Sequence, residues 1–205
     1  MNTKAIIFDV DGVLVNVPYF FTQELQNNWY ENAVEIMNEY YGKENTLCAE
    51  WVWEARELIE PYLERIWWTK WSERYFEEQF QFEEKYIETA LIKTIPKLQK
   101  IGIKSYLWTD QEKNRAKFLR ETLNFQNIFD GCFISCEIWS RKGFPVFWNS
   151  VKETLWKEEI QEHEIVFFDD LQSNIDVAKQ EGIQAFLYTN INNFLKDLDT
   201  LEIKI

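Results

Sequence analysis

Polar residues that can do chemistry stand at the ends of short apolar runs in four places. FDVDGV follows the first run and presents Asp9 and Asp11. YLWTD presents Thr109, and SRKGFP places Lys142 ahead of a helical stretch. VFFDDLQSN presents Asp169, Asp170 and Asn174. Each piece alone has a plain reading. Acidic residues cap the helix that follows a strand, a Thr-Asp pair is turn chemistry, and a lysine before a helix is a solvated charge. Their co-location carries more weight. Buried parallel strands bring both acidic pairs to one sheet edge, where ligands of doubly wound sheets bind. Carboxylates converging there repel one another unless a cation sits among them. Residues two apart on an extended strand share a face, so Asp9 and Asp11 flank a single site.

The elements that must position these groups follow from pattern. Ala5 to Phe8 is a continuous apolar run, as in a strand buried on both faces. From about residue 16 to 92 the pattern is helical. Phe21, Leu25, Trp29, Ala33, Ile36 and Tyr40 recur at steps of three and four, and Gly42 supplies a stop. A second helical stretch starts near Thr46 and meets Pro61, and a third runs to about Ile92. The chain then alternates. Strands are expected at Lys104–Trp108, Cys132–Cys136, Glu164–Phe168 and Gln184–Tyr188. Helices are expected at 94–100, 111–123, 144–157, 173–180 and 192–198. This alternation implies βαβ units with right-handed crossovers. The fold class is α/β: a doubly wound, parallel, Rossmann-like sheet of about five strands with an inserted α-helical domain. Residues 1–15 and 93–205 form the core and 16–92 the insertion.

The 205 residues are 46% apolar and 17% aromatic, enough to bury a core. A net charge of −13 disfavours nucleic acid and anionic membrane surfaces as partners. No apolar run reaches the roughly 18 residues of a membrane span, and Asp9 and Asp11 interrupt the N-terminal run before it resembles a signal peptide. A cytoplasmic location is expected. Three cysteines are not a disulfide framework. Cys132 and Cys136, if extended, stand ~13 Å apart, too far to bridge. The single histidine, His163, reads as a solvated loop residue, and no GxSxG elbow accompanies it.

In order and spacing, these motifs resemble the haloacid dehalogenase-like hydrolase superfamily, in its phosphatase branch. The DxDGV motif matches at Phe8 to Val13, the strand-then-Ser/Thr motif at Thr109, the lysine motif at Lys142, and the DD motif at Asp169, Asp170 and Asn174. Gly143 stands where proline often follows the lysine, with Pro145 two residues on, and Arg141 is a neighbouring candidate for the charge role. The resemblance implies that Asp9 is a nucleophile forming an aspartyl-phosphate, and that Asp11 is the general acid and then the base. It implies magnesium held by Asp9, the backbone carbonyl of Asp11, and Asp170. Asp169 orients that site or shares ligation, and Asn174 supports it. Thr109 and Lys142 hold the phosphoryl oxygens.

The implied activity is magnesium-dependent hydrolysis of a small-molecule phosphate monoester. Dehalogenating members lack an acid at the position of Asp11, because halide leaves without a proton. A sugar phosphomutase and a catalytically silent phosphoester-binding protein are the alternatives; LVNVPYF after the motif lacks the threonine-rich hinge of the mutases. The insertion resembles a helical cap of the family. Asn16, Tyr19 and Phe20 follow the hinge and lie within reach of a leaving group, although Tyr19 and Phe20 read rather as packing. Trp51, Trp53, Trp67, Trp68 and Trp71 line a pocket or, on their helical spacing, form core or interface. Residues 16–92 hold 16 acids and 6 bases, and six of the ten tryptophans, so the acidity lies mainly in the insertion. Specificity is expected there; oligomeric state is left open.

Overall fold

The computed structural model describes residues 3–50 and 53–205. Five parallel strands, β1 (Ala5–Phe8), β2 (Lys104–Thr109), β3 (Gly131–Ile134), β4 (Ile165–Asp169) and β5 (Gln184–Leu187), form one sheet in the order β3-β2-β1-β4-β5. Side chains alternate between two buried faces, as the strand period requires. Ile6, Phe8, Leu107, Val166 and Phe168 point to one face; Ala5, Ile7, Tyr106, Trp108 and Phe167 to the other. The register pairs Phe8 with Leu107 on one side and Phe168 on the other. One residue further on, Asp9 and Asp169 are therefore level on neighbouring strands.

Helices cover both faces. On one lie α6 (Ile95–Lys100), α8 (Phe125–Ile128) and α12 (Ile191–Thr200), around a cluster in which Phe8 meets Phe129, Phe168 and Phe194 at 5.8–6.2 Å. On the other lie α10 (Pro145–Trp156) and α11 (Gln172–Gln180), where Trp108, Trp148 and Phe167 form a mutual triangle of rings 4.5–5.6 Å apart. Pro145 opens α10 at a position where its missing N–H costs nothing.

Between β1 and β2 lie α1 (Phe21–Asn28), α2 (Ala33–Ala49), α3 (Ala55–Arg65), α4 (Ser72–Glu84) and α5 (Thr89–Ile92). The two connecting segments pair with each other: Val15 bridges Ile87, Asn16 N–H donates to Tyr86 O at 3.0 Å, and Glu88 N–H to Leu14 O at 2.9 Å.

Several sequence expectations change here. The stripe from Phe21 to Tyr40 is two helices, broken at Trp29, which is 84% exposed, and at Asn32 in the left-handed region (φ 62°). Gly42 does not stop α2, because the helix continues on a buried face through Met37, Tyr40, Cys48 and Ala49. Pro61 lies inside α3 on its exposed side. The expected helix at 111–123 is α7 (Lys113–Lys117) running into a π-helical turn (Phe118–Thr122). The strand expected at Cys132–Cys136 ends at Ile134, and α9 (Ser135–Ile138) follows, so the extended-chain separation does not apply; all three cysteines are free.

The tryptophan cluster divides. Trp51 lies outside the described residues. Trp68 is buried against Tyr30 and Tyr75 (5.3 and 5.6 Å), whereas Trp53, Trp67 and Trp71 are exposed. Trp67 to Trp71 belong to the connection between α3 and α4, so helical spacing does not apply to them. His163 is exposed in a 3₁₀ turn, as expected. No helix among the described residues is long and apolar enough to cross a membrane.

The ring triangle beneath β2 makes a quantitative expectation. Trp148→Ala empties a fully buried site and is expected to destabilise the fold by about 3–5 kcal/mol, read as a lower urea midpoint at unchanged m-value. A loss below 1 kcal/mol would show that the triangle is not a structural element.

Candidate active site

Asp9 leaves β1 with its amide bonded to Phe168 O (2.9 Å) and its Oδ1 accepting from Val10 N–H (2.7 Å). The chain then winds into a tight turn in which Leu14 and Val15 N–H both donate to Val10 O at 2.8 Å. Gly12 sits in it at φ +77°, and a Cβ there would overlap the Asp170 carboxylate. Glycine is needed twice at this point, for backbone conformation and for the approach of Asp170.

Asp169 ends β4, fully buried. Its Oδ1 accepts from Leu171 N–H at 2.8 Å, and Asn174 Nδ2 lies 2.9 Å from each of its oxygens. Asp170 is exposed and accepts no hydrogen bond from another described residue. Asp9, Asp169 and Asp170 each offer an oxygen within 4.8 Å of the others. This all-oxygen, anionic donor set is the kind that hard divalent cations such as magnesium take.

Lys142 answers these charges from the loop before α10. Its Nζ donates to Asp9 Oδ1, reaches Asp169 Oδ2 at 3.5 Å, and lies 4.4 Å from the centre of the Trp108 ring. Burial pushes the Asp9 carboxyl well above its ordinary range; Asp169 adds to that, and Lys142 opposes it. Partial desolvation within the site also raises Asp170, although the residue as a whole is exposed, with Asp169 contributing. Burial lowers Lys142, but the fields of Asp9 and Asp169 outweigh it and hold the ammonium above its usual value.

Thr109 is buried at the end of β2, and its Oγ1 accepts from Gln111 Nε2 at 3.1 Å. The Asp11 carboxylate is held by Gln111 Nε2 (2.5 Å, to Oδ2) and by an Arg115 terminal nitrogen (3.3 Å, to Oδ1). Asp9, Asp11, Thr109, Lys142, Asp170 and Asn174 line one cavity of about 900 Å³, and Asp169 lies directly behind it. Arg141 reaches the same cavity but is paired with Asp110 Oδ2 (3.3 Å) and has no contact with Asp9. Asn16, Tyr19 and Phe20 line the same cavity. Tyr19 packs on Phe82 (5.5 Å) and donates to Glu24 (2.9 Å). Phe20, expected to pack, is instead 76% exposed at this cavity.

Sequence reading missed three contributors. Asp110 accepts from the Lys142 backbone N–H (2.9 Å), which anchors the lysine loop to the end of β2. It passes for turn chemistry because it directly follows Thr109. Gln111 bridges Thr109 and Asp11. Arg115, in a run that reads as surface charge (EKNRAK), is buried between Asp11 and Glu83 of α4. No local signal marks it, since its partners lie at distant positions in the chain.

The family model described as haloacid dehalogenase-like hydrolase matches residues 6–188, so the chain belongs to that family of hydrolases. No curated protein matches the sequence significantly. Among solved structures, a HAD family enzyme from Bacteroides thetaiotaomicron superposes with a TM-score of 0.74 at 17% identity, covering 93% of this chain and 96% of that one. A mutant of that enzyme is described in complex with magnesium and inorganic phosphate (TM-score 0.71, 17% identity, 92% and 95% covered). A predicted HAD-like hydrolase from Porphyromonas gingivalis gives 0.74 at 14% identity over 100% of both chains. An L-2-haloacid dehalogenase from Xanthobacter autotrophicus, with chloropropionic acid covalently bound, gives 0.63 at 14% identity, covering 99% and 85%. At such identities the likeness is one of fold.

Removing the central cation tests the electrostatics. In Lys142→Met, Asp9 and Asp170 lose the charge that offsets their burial, so their folded pKa values rise further above the unfolded ~3.9. Above that value the native state then binds protons that the unfolded chain has released, and stability falls as pH rises. The destabilisation relative to wild type is expected to be larger at pH 8 than at pH 5 in urea titrations. An equal loss at both pH values would contradict this account.

Proposed function

We propose that this protein is a magnesium-dependent phosphatase that hydrolyses a small-molecule phosphate monoester through an aspartyl-phosphate on Asp9. The carboxylate trio of Asp9, Asp169 and Asp170, with oxygens within 4.8 Å, carries this reading. Such a cluster, met by a dianionic ester, needs more positive charge than one lysine supplies. Asp9, Asp170 and the backbone carbonyl of Asp11 would hold the ion. Asp169 orients the site, because its own oxygens are committed to Leu171, Asn174 and Lys142. Magnesium, when bound, supplies charge that offsets substrate repulsion and stabilises the transferring group. The fold-related Bacteroides enzyme, whose mutant forms a complex with magnesium and inorganic phosphate, supports a site for that pair of ligands.

The chain's own groups account for the rest. Lys142 and the Thr109 hydroxyl hold the phosphoryl oxygens, and Lys142 also favours the ionised form of Asp9 against its burial and fixes its direction. Asp9 attacks phosphorus in line; a bond forms between its carboxylate oxygen and phosphorus as the ester P–O bond breaks. Asp11 gives its proton to the departing oxygen. It then takes a proton from water, whose oxygen attacks phosphorus and releases Asp9 and inorganic phosphate. A halide leaves without a proton, so a second carboxylate held in the cavity by Gln111 and Arg115 favours ester hydrolysis over dehalogenation. The cavity is walled by both core and insertion, which suits a small diffusible ester rather than a macromolecule.

An aryl phosphate assayed with magnesium tests this. Wild type is expected to turn over, EDTA to abolish activity, and added magnesium to restore it. Asp9→Asn is expected to reduce the rate to background and Asp11→Asn to lower it about 10²–10⁴-fold. Full activity in Asp9→Asn, or no turnover by wild type across a broad phosphoester panel, would overturn the proposal.

A further inference from the structure

Arg115 is a buried cation that stands apart from the phosphoryl-holding pair of Lys142 and Thr109. It stands on α7, and three kinds of contact converge on its guanidinium. One terminal nitrogen pairs with Glu83 of α4, and the other donates to Asp11 Oδ1 at 3.3 Å. The guanidinium carbon lies 5.4 Å from the ring centres of both Phe80 of α4 and Phe118 of the π-helical turn, and those two rings stack at 4.9 Å. Glu83 is held in turn by Gln79 Nε2 (2.8 Å), and Gln79 accepts from the Tyr41 hydroxyl (2.9 Å), which meets the Tyr75 hydroxyl at 3.0 Å. A chain of hydrogen bonds, joined by the Arg115–Glu83 ion pair, therefore runs from Asp11 into the insertion, with Arg115 at the crossing.

A buried guanidinium is tolerable only while its anions stay in place, and removing one leaves an uncompensated charge. Withdrawal of α4 would take Glu83 and Phe80 away together. With α4 seated, Arg115 is pinned, and its fixed fork geometry presents a donor to Asp11 in one direction. Gln111 holds the other Asp11 oxygen but comes from the core alone. The insertion thus reaches Asp11 through Arg115.

We infer that Arg115 is a positioning residue that holds the Asp11 carboxylate at the leaving-group side of the cavity, and does so when Glu83 of α4 is seated against it. The kinetic consequence rests on the phosphatase reading, in which Asp11 protonates the leaving group; the mechanical link between α4 and the Asp11 turn does not.

Two measurements on the full chain separate these. First, kcat/KM is compared for phenyl phosphate and para-nitrophenyl phosphate, which share a shape but differ in the need for a proton on departure. This ratio of constants reports steps only through leaving-group departure, so the common hydrolysis step drops out. In Arg115→Met and in Glu83→Gln, the phenyl to para-nitrophenyl ratio is expected to fall by about 10-fold or more, with partial recovery in Arg115→Lys. A ratio unchanged in all three variants overturns the inference, because a merely structural defect lowers both substrates alike. Second, hydrogen exchange of segments 10–16 and 76–84 is followed in wild type and Glu83→Gln without substrate. Faster exchange in both segments supports the link even in a protein that turns over neither phosphate, an outcome that would sink the phosphatase reading alone. Faster exchange confined to 76–84 overturns the link.

Discussion

Carboxylates at the ends of two neighbouring strands repel one another, and the placement of Lys142 against them is the constraint on which the rest of the site depends. Parallel register sets Asp9 and Asp169 level, at the sheet edge where β1 and β4 end together. Both are buried, so water does little to screen them, and desolvation raises Asp9 accordingly. Lys142 opposes this directly, but a lysine side chain is long and mobile. Its loop is anchored by Asp110, and its ammonium rests on the Trp108 ring. Trp108 is itself locked by Phe147, Trp148 and Phe167. The hydrophobic face beneath the sheet thus fixes the position of the site's central cation.

The two lobes meet on a different principle. The insertion is strongly acidic, yet its junction with the core is built from paired charges and stacked rings. Glu83 meets Arg115, Glu54 meets Lys113, and Phe80 stacks on Phe118. The Lys113 pair is partly exposed to solvent and contributes little on its own. The Arg115 pair is buried, so its geometry is consequential: it ties the placement of α4 to the direction of Asp11. The pairing of Val15 with Ile87 draws the two connecting segments together beside the DxDG turn. Movement of the insertion is therefore felt first at Asp11, not at Asp9, which is bound into the sheet.

Much of this was legible from residue order. The apolar runs that end in Asp9, Thr109 and Asp169 read as strands because a strand buried on both faces has no polar residue until it emerges. Gly12 and Asp170 sit in motifs whose elements are local and short. Legibility failed where tertiary contacts decide. Trp29 fits a helical stripe by spacing but lies at a break between helices, and Gly42 and Pro61 are carried through α2 and α3 on exposed faces. The run GCFISCEI holds residues with strand propensity, yet the sheet ends at Ile134, where β2 ends beside it at Thr109.

The amino-acid sequence by itself determined the strand alternation, the helical insertion and the chemical groups offered at the sheet edge. Those depend on periodicity and on residue type at strand ends, which are properties of neighbours in the chain. Only the tertiary structure decided that Arg141 belongs to Asp110, that Asp169 is committed to Asn174 while Asp170 is left open, and that Arg115 joins Asp11 to Glu83. A charge takes its partner from whatever three-dimensional packing places within a few ångströms of it. Residues 11, 83 and 115 share no local pattern that could announce that meeting.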